Sequence, residues 1–103
     1  MGLAKLIYRE TAVLPDSERF GLAAQMRRAA VSIPSNIAEG YARQSLTDYI
    51  RFLKISRGSL AELQTQLILA EQLGLMQASK ALNELNQETD RVLQGLIRSL
   101  QRK

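Results

Sequence analysis

The stretch AAVSIPSNIAEGYAR, residues 29–43, sets a proline inside an otherwise helical pattern. Two serines, an asparagine, a glutamate and a glycine crowd around it. Either this is a catalytic or phosphate-binding loop, or it is a bent helix. The flanking periodicity decides. Apolar or small residues recur at Phe20, Ala23, Met26, Ala30, Ile33 and Ile37. These steps of three and four pass through Pro34 without a slip, as one helical face requires. A loop at Pro34 would restart the pattern out of phase. The reading is one helix with a kink at Pro34, where the missing N–H and the clash with the carbonyl of Ala30 cost ~3 kcal/mol in a helix interior. Ser32, Ser35 and Asn36 are short polar groups placed to satisfy the freed backbone. A break capped by Ser32 is the alternative. No Gly-x-x-x-x-Gly-Lys pattern is present, so a P-loop is rejected. Gly40 is expected to end the helix in left-handed geometry.

Outward from this stretch, three more helices are expected. The first covers about residues 3–14, with Leu3, Leu6, Ile7, Val13 and Leu14 on one face, and Pro15 stops it. Asp16 or Ser17 caps the helix that carries Pro34. Ser45 or Thr47 caps the third, and Ser45-x-x-Asp48 has capping-box spacing. That helix runs to about Leu73, with Gly74 as its stop. Leu53, Ser56, Leu60, Leu63, Leu67 and Ala70 form its stripe, and Ile50, Phe52, Ile55, Ile68 and Leu69 widen it to more than one buried side. Gly58 within it costs up to ~1 kcal/mol against Ala, which close approach of a neighbouring helix would explain. In the fourth helix Leu82, Leu85, Thr89, Val92, Leu96 and Ser99 make the stripe, flanked by Leu93, Ile97 and Leu100. Arg98, Arg102 and Lys103 suit its C-terminal dipole. Connections are short, so residues 1–103 are expected to form a single all-α domain, an up-down-up-down four-helix bundle with a proline kink in helix two.

Composition narrows the chemistry. The 103 residues are 46% apolar, with three Tyr, two Phe and no Trp. There is no Cys and no His, which removes thiolate and imidazole nucleophiles, bases and metal ligands. No cofactor or metal is expected. The net charge of +4 permits a nucleic-acid partner without requiring one. MGLAKLIYRE meets Lys5 and Arg9 too early for a signal peptide, and no apolar run approaches the ~20 residues that span a membrane. A cytoplasmic protein with no membrane partner is the expectation.

Residues 20–76 strongly resemble the 23S rRNA-intervening-sequence protein family, a group of small bacterial four-helix-bundle proteins. The resemblance rests on RRAAVSIPSNIAEG, residues 27–40, followed by GSLAELQTQL, residues 58–67, at matching spacing. Helix four matches in pattern more than identity, and relatives carry a further aromatic-rich stretch of helix one. The resemblance implies a four-helix bundle and a ring-like homopentamer. A similar protein is an accessory factor to a reverse transcriptase in diversity-generating retroelements, where a basic pentamer contacts RNA and enzyme. Many members are encoded within insertions in ribosomal RNA genes, which locates a gene and assigns no biochemistry.

Three functional readings follow. The first is a non-enzymatic adaptor for structured RNA or an RNA–protein complex, including a nucleic-acid-processing protein. Its candidate contacts are Arg27, Arg28, Arg43, Arg51, Lys54 and Arg57, since phosphate contact needs only spaced Lys and Arg. The bland alternative makes these solvated charges, or partners of Glu39, Asp48 and Glu62. No aromatic-interleaved basic patch is read from the sequence, so a single-strand stacking platform is not expected. The second is a scaffold for a protein partner, resting on the wide apolar surface of helix three and on Ser56, Gly58 and Ser59. The third is an enzyme built on Asn36, Glu39 and Arg43, or on Glu84 and Glu88. No nucleophile, base and orienting group assemble from these, so catalysis is not expected. Pro34, Ser35, Asn36, Glu39, Gly40 and Gly58 are read as architecture.

Overall fold

The structure is a computed structural model that describes residues 2–18 and 20–103. Four helices follow in order: α1 (Gly2–Glu10), α2 (Leu22–Ala42), α3 (Leu46–Gln72) and α4 (Lys80–Gln101). They alternate in direction, and α1 packs on both α2 and α4, which closes the bundle. The α2–α3 interface is the most extensive. The body is elongated, with extents of 46 × 24 × 19 Å.

Local chemistry sets the boundaries. The first helix is shorter than its apolar pattern. After Glu10 the chain tightens into a 3-10 turn, Thr11–Val13, and Leu14 is buried below it. The Thr11 hydroxyl donates to the carbonyl of Ile7 at 2.6 Å, bonding back one turn as a threonine at a helix end does. Asp16 and Ser17 do not cap α2. They lie in a second 3-10 turn, Asp16–Glu18, and α2 begins after Gly21. Phe20, between that turn and α2, is exposed and stands outside the register expected of it.

Ser45 caps α3 by accepting from the Asp48 N–H at 3.3 Å, and Ser79 caps α4 by accepting from the Leu82 N–H at 3.0 Å. Gly74 has φ 72°, and it ends α3 in a Schellman motif. The Leu75 N–H donates to the Ala70 carbonyl at 3.0 Å and the Gly74 N–H to the Glu71 carbonyl at 3.0 Å.

The helix through Pro34 is continuous from Leu22 to Ala42, and no break occurs at Ser32. The neighbouring polar groups have a different task from the one expected. Asn36 Nδ2 donates to the Ser32 carbonyl at 2.8 Å and to Ser32 Oγ at 2.9 Å. Ser32 Oγ lies 2.9 Å from Ser59 Oγ, and Ser56 Oγ donates to the Ile33 carbonyl at 2.8 Å. These bonds reach the carbonyls of Ser32 and Ile33, not that of Ala30, and the two that run between Ser32 and Ser59 and from Ser56 to Ile33 fasten α2 to α3. Ser35 is exposed.

Two glycines differ from expectation. Gly40 does not end its helix; α2 continues to Ala42, and the left-handed residue is Gln44, with φ 57°. Gly40 is needed for close approach instead. A Cβ there would stand 2.6 Å from Phe52 Cβ on α3. Gly58 shows the reverse. It is exposed, with nothing within 4 Å of the position a Cβ would take, so no helix packs on it.

The core centres on Ile7, Met26, Ala30, Leu53, Leu60, Leu63 and Leu82. Burying one such leucine or isoleucine contributes about 1.5–3 kcal/mol. The α3 stripe matches its expected residues, all of them buried, while Ile55, Ile68 and Leu69 are exposed rather than forming a second buried side. In α4 the buried residues are Leu82, Asn86, Leu93 and Ile97, so the inward face is the flank of the expected stripe. Val92 and Ser99 face outward. The cause is positional. The α1 end at Gly2 approaches Leu85, and Glu10 at the other end accepts hydrogen bonds from the backbone N–H and the hydroxyl of Ser79. The second half of α4 therefore packs against α3 without cover from α1, and its inward direction turns accordingly.

Candidate nucleic-acid interface

Along the antiparallel α2–α3 hairpin, Arg43, Arg51 and Lys54 lie toward the connection, Arg57 lies midway at the level of Ile33, and Arg27 and Arg28 lie beyond it. Arg27 and Arg28 belong to the first third of α2. Arg43 follows its last residue, about 24 Å further along at 1.5 Å per residue.

Arg27 points toward α1. Its Nε donates to Thr11 Oγ1 at 3.0 Å and its Nη2 to the Tyr8 carbonyl at 3.3 Å. Its Cζ lies 4.8 Å from the centroid of the Tyr8 ring. These contacts tie α1 to α2 and occupy the guanidinium. Arg28, its exposed neighbour, has no ion pair among the described residues.

Arg43, Arg51 and Lys54 lie around the α2–α3 connection and the first turns of α3, and Arg57 follows about one turn further along α3. Arg43 donates to Glu39 Oε1 from Nη2 at 2.9 Å and from Nε at 3.3 Å. Arg51 Nη2 lies 3.5 Å from Asp48 Oδ1. Both pairs are surface pairs within one helix or its cap, and such pairs contribute little in water. A phosphate can exchange with the carboxylate at small cost. Lys54 is exposed and has no ion pair among the described residues.

Arg57 is held from across the seam. Its Nε donates to Asp90 Oδ1 at 2.9 Å, and Gln94 Nε2 donates to Asp90 Oδ2 at 2.7 Å. Because α4 runs antiparallel to α3, this pairing brings the last turns of α4 beside the first turns of α3. Arg98 thereby joins Lys54 and Arg57 around an open hollow of about 260 Å³, with Gln94, Ile97 and Gln101. A neighbouring hollow of about 400 Å³ shares Lys54, Arg57 and Ile97 and extends past Gly58 and Ala61. The missing side chain at Gly58 keeps this trough open. Arg102 and Lys103 follow at the same end. Glu10, Asp16, Glu18 and Glu71 lie toward the opposite end, so the +4 charge, dispersed along the sequence, is polarised along the bundle.

Arg98 is the residue that sequence reasoning assigned only to the helix dipole. Its signal was available in the antiparallel topology, which sets the end of α4 against the start of α3.

The residues considered for catalysis are drawn into other contacts. Asn36 turns to Ser32, and Glu39 pairs with Arg43. Glu84 lies 3.7 Å from Lys80, and Glu88 pairs with Arg91. Among the described residues there is no cluster of His, Cys, Asp and Glu that could hold a metal ion. No described helix is long and apolar enough to cross a membrane.

A comparison with curated proteins finds no match. The family model for the 23S rRNA-intervening sequence protein matches residues 1–98, nearly the whole chain and all the helices that build the basic end. The four-helix architecture agrees with that match, and the chain belongs to the 23S rRNA-intervening sequence protein family.

Proposed function

We propose that the protein is a non-enzymatic, cytoplasmic adaptor that binds structured RNA, alone or within an RNA–protein complex, through the basic end of its bundle. The observation that carries this reading is that Lys54 and Arg57 of α3 share a hollow with Arg98, which comes from a different helix, while Arg51 adjoins Lys54. Cations drawn from two helices onto one end make a phosphate-binding surface, and phosphate contacts need no further motif. Self-assembly, with a homopentamer as the expected form, would repeat this surface and strengthen its field. Exposed Ile55, Leu69 and Leu73 on the outer side of α3 support such assembly. The same apolar residues favour the second reading, a protein-interaction scaffold that does not bind nucleic acid.

The test is a salt titration of binding to structured RNA, with duplex DNA of the same length as control, using protein freed of nucleic acid. Each phosphate contact contributes roughly −0.7 to −0.9 to the slope of log affinity against log salt. A slope of several units with preference for RNA is expected. Absence of binding at low salt would overturn the adaptor reading in favour of the scaffold.

A further inference from the structure

The chain has three Tyr and two Phe. Tyr41, Tyr49 and Phe52 meet where α2 turns into α3. Along the sequence they are separated by polar and charged residues. Arg43 and Arg51 fall between them in the chain, and the fold gathers the five side chains at one corner. The Tyr41 and Tyr49 rings meet edge to face, with centroids 5.9 Å apart and planes at 77°. This contact braces Tyr41, yet the residue remains 73% exposed, which leaves a ring face open to solvent. Phe52 is buried beside them. The Arg51 Cζ stands 4.6 Å from its centroid and the Arg43 Cζ 5.2 Å. Both guanidiniums are thus held against an aromatic surface, while Asp48 and Glu39 engage their edges.

The backbone builds this cluster. Gly40 lets α3 approach closely enough for Phe52 to pack on α2, and the left-handed Gln44 reverses the chain within a short connection. A single exposed tyrosine at a helix end is commonly only surface. Here a second ring supports it, and two cations stand over the neighbouring Phe52 ring.

We propose that Tyr41 is a stacking platform for an unpaired nucleobase of single-stranded RNA, with Arg43 and Arg51 taking the adjoining phosphates. The proposal rests on the reading of the basic end as an RNA interface and adds to it a preference for single-stranded segments. Every base offers a π-face, so the recognition is tolerant of sequence. A braced ring loses little freedom when a base settles on it. The arginines keep their charge, and their exposed carboxylate pairs yield to phosphate at small cost. Lys54, Arg57 and Arg98 continue the cationic surface along α3 and α4, where a paired stem would lie.

Three RNA probes test this: a blunt duplex, the same duplex with a short single-stranded overhang, and a longer blunt duplex matched to the second in charge. Wild-type protein is expected to bind the overhang probe about tenfold more tightly than its charge-matched control, the effect of one stacked base. Tyr41→Ala removes that margin and leaves blunt-duplex affinity unchanged; Tyr41→Phe retains it. Tyrosine is the only strong intrinsic fluorophore in a chain without Trp, so overhang binding also quenches its emission. Duplex binding without an overhang preference, or a preference that survives in Tyr41→Ala, would overturn the platform and leave the basic-end reading standing. Loss of all RNA binding in Tyr41→Ala, together with a changed assembly mass, would make Tyr41 a packing or protein-contact residue and also overturn it. Failure of wild-type protein to bind any of the three probes would overturn both readings.

Discussion

Ser56 on α3 donates its hydroxyl to the main-chain carbonyl of Ile33 on α2, at 2.8 Å, from a position with no solvent exposure. The carbonyl belongs to the residue immediately before Pro34. A polar residue sits in the middle of a leucine stripe because its hydroxyl meets a main-chain acceptor of α2 there. Ser56→Ala removes the donor and keeps the small volume. The expected loss is about 1 kcal/mol, the net worth of one intramolecular hydrogen bond. In thermal unfolding this lowers the midpoint by roughly 4–8 °C for a domain near 100 residues. An unchanged midpoint would mean that the bond contributes nothing to the α2–α3 interface.

Gly40 and Gly58 are expected to respond to alanine in opposite directions. At Gly40 the new methyl group meets Phe52 Cβ at 2.6 Å, a clash with an atom bonded directly to the backbone. Relief requires the helices to separate, and overpacking of this kind costs about 1–3 kcal/mol. At Gly58 the methyl group meets open space, and alanine is worth up to ~1 kcal/mol more than glycine in a helix. Paired denaturant titrations should therefore show a lowered midpoint for Gly40→Ala and a raised one for Gly58→Ala. A lowered midpoint for Gly58→Ala would point to a partner packed on that glycine.

The two glycines also mark where the sequence was legible and where it was not. Periodicity through Pro34 identified α2, because a helical face must keep its phase whether or not one hydrogen bond is missing. The stripe from Leu53 to Ala70 was equally plain, being buried against neighbours along its length. What periodicity does not carry is which neighbour covers which flank. Gly58 was read as a close approach, since helix propensity cannot tell a packed glycine from an open one. The inward face of α4 was misplaced because α1 covers only its first half. In the site, Arg51, Lys54 and Arg57 were visible as turns of one helix. Arg98 was not, because it depends on contact between helices far apart in sequence, and the ring cluster at Tyr41 was not, because its edge-to-face contact forms only once the α2–α3 connection folds back.

Arg27 and the pair Lys54 and Arg98 test the division between architecture and interface. Arg27 spends its guanidinium on Thr11, on the Tyr8 carbonyl and on the Tyr8 ring. Arg27→Gln should loosen α1, visible as faster hydrogen exchange of its amides, and should leave the salt slope of RNA binding unchanged. Lys54 and Arg98 face the trough between α3 and α4 and hold no helix in place. Lys54→Gln with Arg98→Gln should leave exchange in α1 unaltered and reduce the magnitude of the salt slope by roughly 1.4–1.8, the share of two phosphate contacts. The neutral substitutions matter, because acidic ones would add repulsion and exaggerate any effect. A reduced slope in Arg27→Gln with an unchanged slope in the double variant would move the interface to the α1–α2 side of the bundle. It would also make the trough a solvated seam.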